Sequence, residues 1–230
     1  MNMRFELKPL KYFKNLKYFK NLGQVLAMLV LTAACSEQPD QFSEGTHYKQ
    51  YQNILSDQVD LQPDLATADV IEFFTYGCRH CQDFAPTLEQ WQEKNKAVKV
   101  AYVPVVWNEL TELHAKLYYL VKAQANGDDI HHALFGLVQG FSRTDSLEDQ
   151  KVQIIVFLAG KGIPAADVVT ALNTSLFDTQ TASSVMLTKR YEISGTPSLV
   201  VSKQYKILNS AFKTHDELLQ VVNELLEKKG

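Results

Sequence analysis

The sequence predicts an α/β fold whose sheet is built from two separated halves, with a helical block between them. Three observations carry this. A strand, a helix and a second strand follow one another between residues 69 and 107. Only helical patterns run from Asn108 to Arg190. Two short apolar runs and an amphipathic helix then close the chain. With 230 residues, 46% hydrophobic and 21% charged, the chain has the composition of an ordinary globular core, in one domain carrying an insertion.

Residues 1–34 differ from the rest. They hold six basic residues (Arg4, Lys8, Lys11, Lys14, Lys17, Lys20), one acid (Glu6), and an apolar run from Val25 to Ala34. That run is about half the length needed to cross a bilayer. A basic region, a short apolar stretch and small residues at its end read as an export signal, in preference to an amphipathic or buried helix. The doubled "LKYFKN" at 10–15 and 16–21 reads as a local duplication. Without residues 1–34, the chain's 23 basic and 26 acidic residues become 17 and 25, a formal −8. No basic patch points to a nucleic-acid partner.

Residues 35–45 read as a polar tether. "DVIEFFTY" (69–76) is a buried strand by its β-branched and aromatic content. "QDFAPTLEQWQEKNK" follows as a helix, with Phe84, Leu88 and Trp91 on one face, and "AVKVAYVPVVW" (97–107) is the second strand. Asn108 caps a helix that Gly127 is expected to end. "DDIHHALFGLVQG" is a shorter helix, and Ser146 caps the next. Pro164 sits in the favourable first turn of another, and "TQTASSVMLTKRY" completes the block. "SLVVS" (198–202) and "YKILN" (205–209) form a hairpin around Lys203-Gln204. Thr214 caps a closing helix with lysines in its last turn. Removing the helical block leaves a βαβ unit followed by a ββα unit, with a parallel pair and an antiparallel hairpin. This is a thioredoxin-like layout: a first thioredoxin-like segment over 46–107, a helical insertion over 108–190, and a second thioredoxin-like segment over 191–230.

Three cysteines are an odd number for an exported chain. Cys35 ends "LTAAC" directly after the apolar run, as in a bacterial lipobox, where the cysteine carries lipid and becomes the mature N-terminus. The fit is imperfect, because Thr32 stands where leucine is usual. Ordinary cleavage after Ala34 is the rival. Cys78 and Cys81 then remain in "YGCRHC". A lone CxxC serves redox and metal chemistry equally well, but structural zinc takes four ligands. No second CxxC exists, and His47, His114, His131, His132 and His215 are scattered. His131 and His132 read as surface or packing residues. The strand–CxxC–helix context favours redox.

In that context the Cys78 sulfur faces a helix N-terminus, whose free N–H groups and dipole favour an anion. The expectation is that Arg79 and His80 add to this, and that the outer thiol attacks while Cys81 resolves. Stabilising the thiolate stabilises the reduced pair, so such a pair is a strong disulfide donor. Pro197, in "SGTPSLVV", leads into the strand beside the CxxC. A cis bond there would leave the Thr196 backbone open to a substrate strand.

In order along the chain, "EGTHY", "VIEFFTYGCRHC", "VKVAYVPVVW", "HAKLYYLVKAQ" and "GTPSLVV" resemble the DsbA family of periplasmic thiol–disulfide oxidoreductases, over residues 43 to 228. The resemblance implies a thioredoxin fold with an inserted helical domain, Cys78 as nucleophile, Cys81 as resolving thiol, Pro197 in cis, and His80 stabilising the thiolate. It implies Glu72 as a buried acid beneath the pair, a candidate proton relay. It implies no metal and no other cofactor, reduced exported proteins as substrates, a DsbB-like membrane reoxidase, and a periplasmic location. The lipobox adds a membrane tether through Cys35, with the outer membrane favoured over the inner because Ser36 is not Asp. Three departures stand out: Arg79 replaces the proline common in the motif, Thr196 replaces the usual valine, and Glu72 has no evident basic partner. A reductase or isomerase on the same fold, and a copper- or zinc-binding thiol module, are the alternatives. No dimerisation domain is visible, so a monomer is expected.

Overall fold

A computed structural model describes residues 41–51 and 63–228. The expected signal and Cys35 lie outside these, as does the first part of the tether. In chain order the elements are β1 (Tyr48–Gln50), α1 (Pro63–Thr67), β2 (Val70–Phe74), α2 (Arg79–Lys94), β3 (Val100–Pro104), α3 (Glu109–Lys122), α4 (Gly127–Gln139), α5 (Leu147–Gly160), α6 (Ala165–Asn173), α7 (Asp178–Arg190), β4 (Ser198–Val201), β5 (Tyr205–Ile207) and α8 (His215–Glu227). Short 3₁₀ turns precede α7 and α8.

The five strands form one sheet in the order β1-β5-β4-β2-β3. β2 lies near its centre, parallel to β3 and antiparallel to β4. Every residue of β2 is buried, because both faces of the sheet are covered; hence its apolar character at every position but Glu72. One face carries Val70 under α2 and α8, packed through Phe84, Leu88, Trp91, Leu218, Val222 and Leu225. The other carries Ile71 and Phe73 against Leu65 of α1 and Leu187 and Tyr191 beside α7. Each fully buried aliphatic side chain in these layers contributes about 1.5–3 kcal/mol. The sandwich is pinned across the helices by the Trp91 indole N–H, which donates to Asn223 Oδ1 at 3.0 Å.

The helices from α3 to α6 gather around their own apolar cluster, which includes Leu117, Tyr118, Leu134, Ile154, Leu158, Val168 and Leu172. That cluster also takes in Phe74, Tyr76 and Cys81, so the inner cysteine sits where the insertion meets the sheet. The predicted caps at Asn108 and Ser146 are both present, each as a full capping box.

Several boundaries differ from expectation. Arg79, not Gln82, opens α2, because Cys78 itself is the N-cap. Gly127 does not end α3, which stops at Lys122; it opens α4. The reason for glycine there is contact: a Cβ at position 127 would lie 2.4 Å from the Val121 carbonyl oxygen. Pro164 is the N-cap of α6, one residue before its first turn. The edge strand β1 and the short α1 lack a sequence signal long enough to read. β1 is three residues, Tyr-Lys-Gln, held by antiparallel pairing with β5.

Candidate active site

The chain leaves β2 through Thr75, Tyr76 and Gly77 and enters α2 at Cys78. The Cys78 N–H donates to the Thr75 carbonyl at 3.0 Å, closing the turn. Cys78 has extended backbone angles (φ −89°, ψ 110°), as an N-cap does, and its sulfur takes the place usually filled by a hydroxyl or carboxylate. Sγ accepts the Cys81 N–H at 3.2 Å. On its other side Sγ lies 3.2 Å from the Thr196 carbonyl oxygen, to which the protonated thiol donates. The sequence-predicted Cys78, Cys81, Thr196 and Pro197 are thus brought together across 118 residues of chain, and the Thr196-Pro197 bond is cis. Asn209 donates its side-chain amide to the Pro197 carbonyl, and the Ser198 hydroxyl donates to Gly195 O at 2.7 Å; both fix this loop.

The two thiols are unlike. Both are free, Cys78 half-buried and Cys81 fully buried. The Cys78 thiol is pulled down to about 6, first by a hydrogen bond from the Cys81 side chain, then by hydrogen bonding from the Thr196 side chain and the Cys81 N–H and by the His80 charge, all against the opposing effect of burial. Burial, with the neighbouring Cys78 and Glu72 charges, pushes the Cys81 thiol up. The outer sulfur is therefore a thiolate at neutral pH and the inner one a thiol.

His80 is exposed, and its charge is the smallest of those causes. Arg79 departs from expectation: its guanidinium is exposed and paired with Asp83 at 3.2 Å, and it does not figure among the influences on Cys78. Glu72 is 2% exposed, on the strand that feeds the cysteine loop. Burial raises its carboxyl to about 8, and the negative charges of Cys78 and Glu89 add to that; among the described residues no cation offsets them. Its register partner on β3 is Tyr102, whose hydroxyl is raised by burial and by Glu72.

Three further side chains grip the loop, all from the helical insertion. His114 Nδ1 lies 3.1 Å from Thr75 Oγ1, with the ring buried and its pKa lowered to about 4 by that burial. His131 Nδ1 lies 2.8 Å from the Tyr76 hydroxyl, and burial lowers it to about 3. Gln139 Nε2 is 3.4 Å from both the Tyr76 and the Cys78 carbonyl oxygens. The adjacent His132 instead pairs with Glu89 at 2.9 Å. The sequence holds a signal for two of these. His131 and Gln139 border the face of α4 that buries Ile130, Leu134, Phe135 and Val138. Polar residues beside such a face ask for partners.

Among the described residues no three His, Cys, Asp or Glu side chains are placed to hold a metal ion. A cavity of about 690 Å³ opens at the far end of α2, between Tyr102, Tyr118 and His131 and a rim that includes Glu93 and Asp128; none of the predicted site residues lines it.

No protein-family model matches the chain. Among curated proteins it is 26% identical over 209 residues to the thiol:disulfide interchange protein DsbA of Pseudomonas aeruginosa, covering 90% of this chain and 95% of that one. It is 32% identical over 166 residues to DsbA of Burkholderia cepacia, covering 70% and 77%. The crystal structure of Pseudomonas aeruginosa DsbA superimposes with a TM-score of 0.66 at 26% identity, over 83% of this chain and 96% of that one. The oxidoreductase DsbA from Xylella fastidiosa shares the fold, with a TM-score of 0.68 at 21% identity over 82% and 97%. Sheet order, inserted helices, a CxxC at a helix N-terminus and these likenesses agree: the chain belongs to the DsbA family, and it is a thiol:disulfide oxidoreductase with a thioredoxin-like fold and an inserted helical domain.

Proposed function

We propose that the protein donates a Cys78–Cys81 disulfide to reduced exported proteins. The observation that carries this is the asymmetry of the pair: a Cys78 thiolate held at about 6 beside a buried Cys81 thiol. A thiolate that stable makes the reduced enzyme the favoured product and Cys78 the better leaving group. A substrate thiolate attacks Cys78 Sγ of the oxidised enzyme. The S–S bond to Cys81 breaks, and Cys81 leaves with the electron pair and takes a proton. The substrate's second thiol, deprotonated, attacks its own sulfur in the mixed disulfide. Cys78 departs as thiolate, the substrate gains a disulfide, and the enzyme holds both electrons. In the reverse half of the cycle Cys78 is the nucleophile and Cys81 resolves, with a DsbB-like membrane protein accepting the electrons.

Glu72, neutral at pH 7 and lying in reach of the Cys81 charge, serves as the proton source for that leaving sulfur. His80 steadies the thiolate. The Thr196 carbonyl, 3.2 Å from the sulfur, is placed to pair with the main chain of a docking substrate strand, with Pro197 fixing the loop. Recognition of this kind is largely tolerant of substrate sequence.

The export signal supports a periplasmic location for the working protein. The lipobox supports a lipid on Cys35 and attachment to a membrane, the outer in preference to the inner. Mass spectrometry of the mature N-terminus tests this; an unmodified Cys35 refutes it.

The catalytic reading is tested with a reduced, unfolded test protein. Cys78→Ser abolishes its oxidation. Cys81→Ser has no disulfide to donate and also leaves it reduced, but when offered a disulfide-bonded partner it accumulates mixed disulfides at Cys78, because the Cys78 thiolate displaces one partner sulfur and no Cys81 thiol resolves the adduct. Adducts on Cys78→Ser and none on Cys81→Ser would reverse the two roles.

A further inference from the structure

The loop that carries Cys78 is tied to the helical insertion by three side chains, and one of them bonds directly to the backbone of the reacting residue. The Cys78 carbonyl is the N-cap carbonyl of α2 and already accepts the Gln82 N–H at 3.2 Å. Its second lone pair faces Gln139 Nε2 at 3.4 Å, and the Tyr76 carbonyl faces the same nitrogen at 3.4 Å. One primary amide has two hydrogens, one for each carbonyl. Both partners are acceptors, so only the NH₂ end of the glutamine fits. A carboxylate at that place would oppose two carbonyl oxygens and a thiolate.

We propose that Gln139 is a positioning residue for the thiol–disulfide reaction: by bridging the Tyr76 and Cys78 carbonyls it holds the catalytic loop so that Cys78 Sγ stays on the α2 N-terminus, and through it the helical insertion sets the redox poise of the pair. The geometry supplies the chain of cause. Fixing two carbonyls on either side of Gly77 fixes the peptide planes that orient Cys78. Gly77 itself is exposed and has no side chain to pack, so the restraint has to come from its neighbours. The Cys78 backbone angles in turn aim Sγ at the Cys81 N–H and at Thr196. The donor also quenches the negative ends of two carbonyl dipoles in the thiolate's own loop. His114 and His131 hold the same loop from the side chains of Thr75 and Tyr76, but neither bonds to the backbone of Cys78. This inference rests on Cys78 being the reacting thiolate, as argued above, but its readouts do not depend on the direction in which disulfides flow.

The experiment compares Gln139→Met, which removes the donor at similar volume, Gln139→Glu, which replaces it by a charge of the wrong sign, and Gln139→Lys, which restores a donor. Each is read by thiolate absorbance against pH and by the equilibrium of the pair with glutathione, in the full exported chain. The Glu variant is expected to raise the Cys78 midpoint by about one pH unit, the scale of a nearby unit charge in a protein environment. At pH 7 that lowers the thiolate from about nine tenths to about half, and makes the pair about fivefold less oxidising. Met is expected to move both in the same direction by less, and Lys to stay at or below the parent midpoint. Should Glu fail to fold, Met and Lys decide. A midpoint and equilibrium constant unchanged in Met, or a Lys variant shifted as far as Met in the same direction, would overturn the proposal, since loss of packing alone makes no distinction between donor and non-donor.

Discussion

Replacing Glu72 by glutamine isolates the cost of placing an ionisable acid under the cysteine pair. The carboxyl is 2% exposed and, among the described residues, has no cation to answer it, so its pKa rises from 4.5 to about 8. The sign follows from that direction. A group whose folded pKa lies above its unfolded one contributes stability below the unfolded value, here 4.5, and that contribution is lost as pH rises through the folded value, here about 8. At pH 7 the unfolded chain has this carboxylate ionised and the folded chain keeps it protonated. The gap between pH 7 and 4.5, at about 1.4 kcal/mol per pH unit, makes the penalty about 3 kcal/mol. A glutamine side chain has nearly the same volume and never ionises, so the Glu72→Gln variant escapes the penalty. The assay is urea unfolding of the reduced protein from pH 4 to pH 8, variant against parent. The difference between them should be smallest at pH 4 and should grow by about 3 kcal/mol by pH 7, a midpoint change of about 1–2 M urea. In the oxidised protein the Cys78 charge is absent, so the same slope should persist but weaken. The variant should also form mixed disulfides about tenfold or more slowly, for want of a proton for Cys81. Curves for variant and parent that run parallel across the whole range would refute both the raised pKa and the relay built on it.

The depressed Cys78 pKa has the opposite sign: the stability that its thiolate gives the reduced protein is fully present above the unfolded value near 9 and is lost as pH falls through about 6, so reduced and Cys78→Ser proteins should converge in melting temperature toward pH 5. His80→Ala should move the thiolate absorbance midpoint upward by about half a pH unit, since its charge is the smallest of the influences on Cys78; an unmoved midpoint assigns the stabilisation to hydrogen bonds alone. Gly127→Ala should destabilise by about 1–3 kcal/mol, because the new methyl meets the Val121 carbonyl at 2.4 Å and backbone must shift to admit it; a melting temperature equal to the parent's would show that the α3–α4 turn is looser than its geometry implies.

What the sequence makes legible follows the strength of local signals. β2 is a dense apolar run and α2 and α8 are long amphipathic ones, and a cysteine at a strand-to-helix junction already implies a sulfur on N–H groups. The Thr196 contact is within reach because a thioredoxin-like layout puts the strand that Pro197 opens beside the CxxC; a proline before a strand is by itself common. The edge strand β1 is not, since three residues with no apolar run become a strand only once β5 is present to pair with them. Arg79 misleads because sequence proximity to a thiolate says nothing of direction; at the fourth position along the helix Asp83 competes for the same guanidinium and wins. Gln139 is legible only as a polar residue beside a buried face; its partners are backbone carbonyls 61 and 63 residues away, which no side-chain pattern records.

The helical insertion enters after β3 and leaves before β4, so it separates Cys78 from Thr196 by 118 residues. Helix α2, by contrast, lies entirely ahead of the insertion. An isolated helix of 16 residues is marginal in water. As the chain is made, the cysteines therefore precede the segments that hold the surroundings of the acidic one in place. The insertion's grip, the Thr196 wall and the α8 cover arrive only with the chain that follows, through contacts of long sequence separation that close late in folding. An unfolded or half-made molecule carries two ordinary thiols, sluggish at neutral pH, and becomes a reagent only on completion. Its reactivity is in this sense a readout of its own topology, and a chain that stalls partway poses little chemical hazard to the nascent proteins beside it.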